Sequence, residues 1–260
     1  MNFELFDRFS PTIRALTDAE LTGNDHFLNK KMRLAIEGDI EVCYVPFEYV
    51  NPKARVVIVG ITPGRTQMLN ALKEARRQLN LGANPLTALI AVKRTGAFSG
   101  TMRPNLVNLL DCVGVHRWLG IKTCDDLFGS AADLVQSTSA LQNPIFIKGE
   151  NYNGTPNMTR HPLLRKQLVT NFGADANKMA NAVFVPLGDK VAEALHFLAD
   201  QGLMKKDRIL DGLPHPSGAN AERIAYFLGR KNKDALSVKT NAEKLDHAKS
   251  SMIRKIQALN

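Results

Sequence analysis

The feature that most constrains the fold is an apolar run that ends abruptly in a turn. Residues 55–59 are Arg-Val-Val-Ile-Val, mostly β-branched and without polar alternation, which is typical of a strand buried on both faces of a parallel sheet. Gly60 stops the run, and Pro63-Gly64 completes a short loop before a predicted helix at residues 65–79. Ligands of open α/β sheets bind at the carboxyl ends of strands, so the pattern predicts a binding loop here. The alternative is an ordinary strand–helix turn.

A second loop near the other end of the chain has the same context. Residues 209–220 are Ile-Leu-Asp-Gly-Leu-Pro-His-Pro-Ser-Gly-Ala-Asn, a short apolar run followed by a polar loop, and a helix is predicted at 221–228. His215 stands between two prolines, which hold the backbone extended and stiff and so present the imidazole ring. Ser217 and Asn220 are candidate helix N-caps. The alternative is a capped helix start with an incidental histidine.

Together the two loops resemble the motifs of the uracil-DNA glycosylase superfamily. Gly60-Ile-Thr-Pro-Gly64 looks most like the first motif of the mismatch-specific uracil/thymine branch, Gly-Ile-Asn-Pro-Gly. His215-Pro-Ser-Gly-Ala-Asn220 is similar to that branch's Asn-Pro-Ser-Gly-Leu, with the histidine of other branches. The order, the separation and the strand context of the two loops agree with the superfamily. The resemblance covers residues from about 50 to 230, and its specific part is the two loops.

The expected fold is α/β, with three α/β/α layers around a central four-stranded, mostly parallel sheet. Apolar runs that end near residues 59, 147, 188 and 210 supply the four strands, and helical segments alternate with them. The simplest organisation is a single uracil-DNA glycosylase-like domain over residues 1–260. Its core is expected at about 50–230, with a helical N-terminal extension and a basic C-terminal helix from about residue 242.

The resemblance implies a monofunctional, cofactor-free DNA glycosylase that hydrolyses the N-glycosidic bond of uracil or a related damaged base during base excision repair. It implies two catalytic residues: Thr62 at the water-positioning place, and His215 as a hydrogen-bond donor to the base. The substrate-binding positions that it implies are Gly60, Ile61, Pro63, Gly64, Phe98, Ser139 and Asn143, with Phe98 stacking on a flipped base and Ser139 or Asn143 reading its edge. The implied DNA contacts are Ser217, Gly218, Ala219, Asn220 and Arg223.

Three positions depart from the superfamily pattern. Thr62 stands where strongly active members have Asp and weaker branches have Asn or Glu, and a threonine hydroxyl cannot act as a base at neutral pH. Ala219 takes the place of the wedge side chain, and Ser139 would lack the two-point hydrogen bonding of an amide. These departures leave two alternatives open. One is a catalytically weak or inactive protein that binds nucleic acid or nucleotides, and the other is a hydrolase or transferase of small nucleosides or nucleotides.

Composition places limits on these functions. The chain has 260 residues, 44% hydrophobic and 23% charged, which is typical of a globular protein, and its net charge of +9 favours a polyanionic partner such as DNA. Three scattered cysteines predict a reducing, cytoplasmic location and exclude the four-cysteine iron–sulfur cluster of some superfamily members. The six histidines lack metal-ligand spacing, so no metal is expected. No apolar run is long enough to span a membrane, and the oligomeric state stays open.

Overall fold

The computed structural model describes residues 3–22, 26–95 and 102–259. The strands of these residues are β1 (Arg33–Glu37), β2 (Ile40–Cys43), β3 (Val56–Gly60), β4 (Val135–Ser139), β5 (Ile145–Ile147), β6 (Glu150–Asn151) and β7 (Val183–Pro186). The α-helices are α1 (Glu4–Arg14), α2 (His26–Met32), α3 (Arg65–Asn80), α4 (Pro85–Thr95), α5 (Met102–Cys112), α6 (Val115–Leu119), α7 (Pro162–Gln167), α8 (Ala174–Lys178), α9 (Asp189–Asp200), α10 (Ala221–Phe227) and α11 (Ala242–Gln257). Within the described ranges, no helix has both the length and the apolar character that crossing a bilayer requires.

The chain forms two compact units, each assembled from three segments. The first unit comprises Met1–Val50, Ile61–Ala97 and Ser137–Asp175. The second comprises Asn51–Gly60, Phe98–Gln136 and Ala176–Asn260. Because the chain passes between the units at Gly60 and again within β4, each unit combines residues that are far apart in sequence. The single-domain interpretation stays a prediction.

The first unit contains an antiparallel sheet of order β1-β2-β5-β6. In its register Val42 lies opposite Ile145, and Phe146 lies opposite Asn151. Its core is formed by buried side chains of the sheet and of α1, α3 and α4; Phe6, Tyr44 and Phe146 are among the largest fully buried ones. The rings of Phe9 and Tyr44 stack with centroids 4.4 Å apart. This unit therefore has a helix-on-sheet core of its own.

The second unit is built on β3, the strand predicted from the apolar run. In the three-stranded sheet of order β4-β3-β7, β3 pairs in parallel with β7 from Val56 opposite Val183 to Val59 opposite Pro186. β4 begins in this unit and ends in the first. Residues 56–59 are completely buried, as expected for a strand covered on both faces. The structure confirms a mixed α/β fold in which a parallel strand pair carries the 60–64 loop.

The predicted four-stranded parallel sheet is not confirmed. The apolar run before His215 makes only an isolated parallel bridge between Ile209 and Phe184, and the Leu210 amide donates to the Phe184 carbonyl at 2.8 Å. The chain then turns at Gly212, where φ is 102°, and reaches Pro214, which has no amide hydrogen. Because neither residue can extend a strand ladder, the run stays next to β7 without becoming a fourth strand.

Helix α11 forms where a basic C-terminal helix is expected, and it packs on the second unit. Leu245, Met252 and Ile256 are buried in the core of the second unit. The Lys255 ammonium donates to the Ile209 carbonyl at 2.7 Å, and the Lys249 ammonium donates to the carbonyl of Phe227 at 2.8 Å. Part of the basic surplus of this helix therefore holds it to its own unit rather than remaining free for a partner.

Candidate functional site

His215 lies in a loop that the second unit holds in place. The Pro216 carbonyl accepts a hydrogen bond from the Asn105 amide at 2.9 Å, and His215 itself is partly buried. Gly188, which follows β7, has φ of 99°, and a Cβ on it would lie 3.9 Å from Cδ2 of the imidazole. The histidine therefore sits beside the carboxyl end of a parallel strand, where α/β folds place their ligands.

The imidazole of His215 is held in one tautomer. The Ser217 amide donates to Nδ1 at 3.3 Å, so the neutral ring carries its hydrogen on Nε2. Burial lowers the pKa of His215, which favours the neutral ring at physiological pH. Among the described residues, Nε2 has no hydrogen-bond partner. The result is a neutral N–H donor whose orientation is fixed by the backbone and which is available to a ligand.

The residues after His215 form a braced loop with an exposed tip. Ser217 and Asn220 occupy N-cap positions, as predicted, but neither caps with its side chain. Instead the Asn220 amide donates to the Ser217 hydroxyl at 3.2 Å, and Arg223 donates to the Asn220 amide oxygen at 3.1 Å and to the Lys239 carbonyl at 3.1 Å. Gly218 and Ala219 are exposed at the tip. With these two small residues the tip exposes mainly backbone. The Arg223 side chain is engaged in hydrogen bonds that support the loop.

The loop 60–64 begins where β3 ends. Gly60 is the last residue of β3 in the second unit, and Ile61 to Gly64 belong to the first unit. The Ile61 carbonyl accepts from the Leu141 amide at 3.0 Å, and Pro63 is buried. The Gly64 amide donates to Gln67 at 3.1 Å at the start of α3. These contacts hold the loop in place, and a side chain accepts from a backbone amide at the start of α3.

Thr62 has a structural hydrogen-bonding role that the sequence does not reveal. Its hydroxyl donates to the Asn143 carbonyl at 3.0 Å and accepts from the Ile145 amide at 3.2 Å. A hydroxyl has one hydrogen to donate and two lone pairs, so only one lone pair remains for a water molecule. Thr62 ties the loop to the segment that enters β5, and it can orient a water only as an acceptor.

Asn143 is one of the two candidates for reading a base edge. It is 9% exposed, and among the residues that the structure describes its side-chain amide has no hydrogen-bond partner. A side-chain amide offers both the donor and the acceptor that a base edge requires. Ser139, at the end of β4, offers a partly buried hydroxyl. Phe98, the predicted stacking residue, lies outside the described residues.

Sequence reasoning missed a buried ionisable cluster in the first unit. The Tyr44 hydroxyl donates to Oε1 of Glu48 at 2.6 Å, while Oε2 is buried and has no hydrogen-bond partner among the described residues. Burial raises the pKa of Glu48 to about 7. Burial lowers the pKa of Lys93 to about 8, and the Lys93 ammonium donates to the Phe47 carbonyl at 3.1 Å. An acid and a base that both titrate near neutral pH can transfer protons.

Asp175 connects this cluster with the segment that carries Asn143. Its charge raises the pKa of both Glu48 and Lys93, and its carboxylate accepts from the Gln142 amide at 2.8 Å. Gln142 immediately precedes Asn143. The only sequence signal for this cluster was a single acid, Glu48, inside the largely apolar stretch 44–49, Tyr-Val-Pro-Phe-Glu-Tyr.

The fold and its loops define a mixed α/β protein with candidate ligand-binding side chains on the loops that follow its parallel strands. The chain belongs to the same family as YoxB of Bacillus subtilis (strain 168), which is described as an uncharacterized protein. The two are 35% identical over 221 residues, which are 84% of this chain and 85% of the relative. No protein-family model and no solved structure matches the chain.

Proposed function

We propose that the protein is a DNA glycosylase of the uracil-DNA glycosylase type, with that superfamily's fold, which hydrolyses the N-glycosidic bond of uracil or a related damaged base in DNA. The observation that carries the proposal is the neutral, oriented Nε2–H of His215. Its place in the motif matches the place of the superfamily's base-contacting residue. The net charge of +9 supports a DNA partner, and three free cysteines support a reducing compartment such as the cytoplasm.

The chemistry requires a donor that is aimed at the leaving base. As the bond between the sugar carbon and the base nitrogen breaks, the bonding electrons move into the base and negative charge grows on its oxygens. Water adds to the sugar carbon and loses a proton, and the base is finally released in protonated form. A pre-oriented N–H that meets a developing oxyanion contributes about 10²–10³ in rate. A neutral imidazole that carries its hydrogen on Nε2 supplies this N–H.

The base-reading part of the proposal rests on Asn143. Its side-chain amide can donate to one carbonyl oxygen of uracil and accept from the adjacent ring N–H, which supports specificity for a uracil-like edge. Stacking by Phe98 and backbone contacts from the 60–64 loop are further parts of the proposal, taken from the resemblance.

A specific observation favours a second candidate, a protein of the same fold that binds nucleic acid or nucleotides without cleaving them. The Thr62 hydroxyl is engaged by Asn143 and Ile145, so the position that holds a water-activating acid in strongly active members is occupied by a structural contact. The small Ala219 at the loop tip also fills little of the space that a flipped base would leave. Slow or absent turnover is the expected signature of this candidate.

A single-turnover assay distinguishes the two candidates. Labelled oligonucleotides that carry uracil, hypoxanthine or xanthine, single- and double-stranded, are incubated with excess protein, and abasic sites are detected by alkaline cleavage. A His215→Ala variant purified in the same way controls for host glycosylases. Release that depends on His215 supports the first candidate, and salt-sensitive binding without release supports the second. Neither release nor binding would overturn both.

A further inference from the structure

Outside the loops described above, three side chains of different chemistry converge in the second unit. Asp111 lies in the last turn of α5, His116 lies in α6, and Cys124 begins a 3₁₀ turn over Cys124–Phe128. One ligand atom from each, namely a carboxylate oxygen, an imidazole nitrogen and the thiol sulfur, lies within 4.8 Å of the other two. Their positions in sequence follow no familiar metal motif, which is why the histidine spacing predicted no metal.

Local backbone geometry brings the three groups together. Gly114 adopts a φ of 89°, which lets the chain reverse between α5 and α6 and returns His116 towards Asp111. His116 Nδ1 lies 3.3 Å from Asp111 Oδ1. The same carboxylate accepts from the Cys124 amide at 2.7 Å and from the Thr123 hydroxyl at 2.6 Å. The carboxylate is thus fixed by two hydrogen bonds and still faces the imidazole.

Two features of the cluster are unexplained by packing alone. Nδ1 of His116 is buried, and its 3.3 Å contact with Asp111 Oδ1 does not meet hydrogen-bond geometry. The Cys124 side chain is completely buried, so its sulfur faces the carboxylate and the imidazole rather than solvent. A buried ring nitrogen without a hydrogen bond is rare in folded proteins, and a bound ion would satisfy it.

We propose that Asp111, His116 and Cys124 bind a divalent d-block cation, with zinc as the ion that they fit best. Zinc takes sulfur, nitrogen and oxygen ligands at roughly 2.0–2.3 Å in tetrahedral geometry. The 3.3 Å between His116 Nδ1 and Asp111 Oδ1 suits two ligands of one such ion. On binding, Cys124 releases its thiol proton to solvent and supplies the thiolate, while His116 binds through Nδ1 as a neutral ring. Three protein ligands leave a fourth position for water.

The test uses untagged full-length protein, stripped with a chelator and titrated with Co²⁺ as the spectroscopic substitute for zinc. Wild type is expected to take up one Co²⁺ per chain and to show a thiolate-to-cobalt charge-transfer band together with the intense visible bands of tetrahedral cobalt. Zn²⁺ is expected to displace the Co²⁺ and bleach these bands. Cys124→Ser is expected to abolish the charge-transfer band and to weaken binding by at least about tenfold.

Matched controls separate the metal site from a purely structural cluster. Cys112→Ser removes a neighbouring thiol whose sulfur lies 3.7 Å from the Phe227 carbonyl, and it should leave the cobalt spectrum unchanged. His116→Gln changes a partly exposed side chain and provides a second ligand variant should Cys124→Ser unfold, as judged by circular dichroism. Folded wild type without a thiolate band, or a band that survives Cys124→Ser, would overturn the proposal. In that case Asp111 serves only to cap the turn at Thr123 and Cys124.

Discussion

At the scale of single residues, Thr62 and His215 show how a motif position acquires its role from its neighbours. The Thr62 hydroxyl is committed to the backbone of the segment 143–145. His215 is in the opposite situation, because its Nδ1 is occupied by a backbone amide and its Nε2 is left available. Both positions resemble those of one superfamily, but of the two side chains it is His215 that keeps a hydrogen-bond donor available to a ligand.

The structural role of Thr62 gives the first prediction. Thr62→Val removes the hydroxyl and leaves the Asn143 carbonyl and the Ile145 amide without this partner, so we expect a loss of about 1–3 kcal/mol in the free energy of unfolding. Thr62→Ser keeps the hydroxyl and is expected to lose less than about 1 kcal/mol. Urea unfolding of the three proteins measures the difference. Equal stability of Thr62→Val and wild type would mean that the two hydrogen bonds are dispensable.

Glu48 gives a prediction about pH. Because burial raises its pKa from 4.5 to about 7, the folded protein holds a proton there that the unfolded chain has lost between those values. The stabilising contribution of this carboxyl is therefore full below pH 4.5 and is lost as the pH rises towards 7. Glu48→Gln keeps an acceptor for Tyr44 and cannot ionise, so this fall in stability should disappear.

The pH prediction is checked by urea unfolding at intervals between pH 4.5 and 7. Glu150→Gln, which replaces an exposed acid of the same unit, is the matched control and should keep the wild-type slope. A Glu48→Gln protein with the same slope as wild type would contradict the assignment of the buried carboxyl.

At the scale of elements, the loop that carries His215 depends on the packing of α11. Gly212 has φ of 102°, and a Cβ on it would lie only 2.4 Å from Cβ of Ala248 in that helix. Lys255 of the same helix also bonds to Ile209 and, at 3.2 Å, to the Asp211 carboxylate. The basic C-terminal helix therefore supports the base of the candidate catalytic loop.

Because of this close packing, adding one methyl group at Gly212 should have a large effect on the free energy of unfolding. Gly212→Ala combines a left-handed backbone with a collision against α11, so we expect it to lower the free energy of unfolding by more than about 2 kcal/mol. Adding Ala248→Gly should recover the stability that is lost to the collision with α11. The stability that is lost to the left-handed backbone should stay lost. Gly229→Ala isolates the backbone cost, because φ there is 72° and a Cβ would meet none of the described residues within 4 Å beyond its chain neighbours. If Gly212→Ala costs no more than Gly229→Ala, the close packing is not present in solution.

At the scale of the whole molecule, the sequence predicts the strand that carries the 60–64 loop and the helices with clear periodicity. β3, α3 and α11 follow from an apolar run or from helical periodicity, and these signals are local. The β1-β2-β5-β6 sheet could not be predicted, since its strands are two to five residues long and pair Ile40 with Ile147 across more than a hundred positions. The run that ends near residue 147 forms β5 of the antiparallel sheet instead of a parallel strand. The last run does not become a strand for a local reason, because the turn at Gly212 interrupts it before it can extend the ladder.

The candidate site also combines features that the sequence predicts with features that depend on tertiary packing. The stiff loop around His215 follows from Pro214 and Pro216, so sequence predicts it. The partners of Thr62 lie 81 and 83 positions away, so its structural role depends on tertiary packing. The Glu48 cluster is likewise assembled from distant segments, and burial, which sequence does not give, produces its shifted pKa values.

The most direct test of the central claim is the single-turnover rate of base release by wild type, His215→Ala and His215→Asn on the best oligonucleotide substrate. We expect His215→Ala to lower the rate by about 10²–10³, because the oriented donor is lost. His215→Asn keeps an N–H donor, but its amide nitrogen lies near the place of Nδ1 rather than Nε2, so it should retain only part of the rate. A His215→Ala protein that is folded and releases base at the wild-type rate would contradict the account.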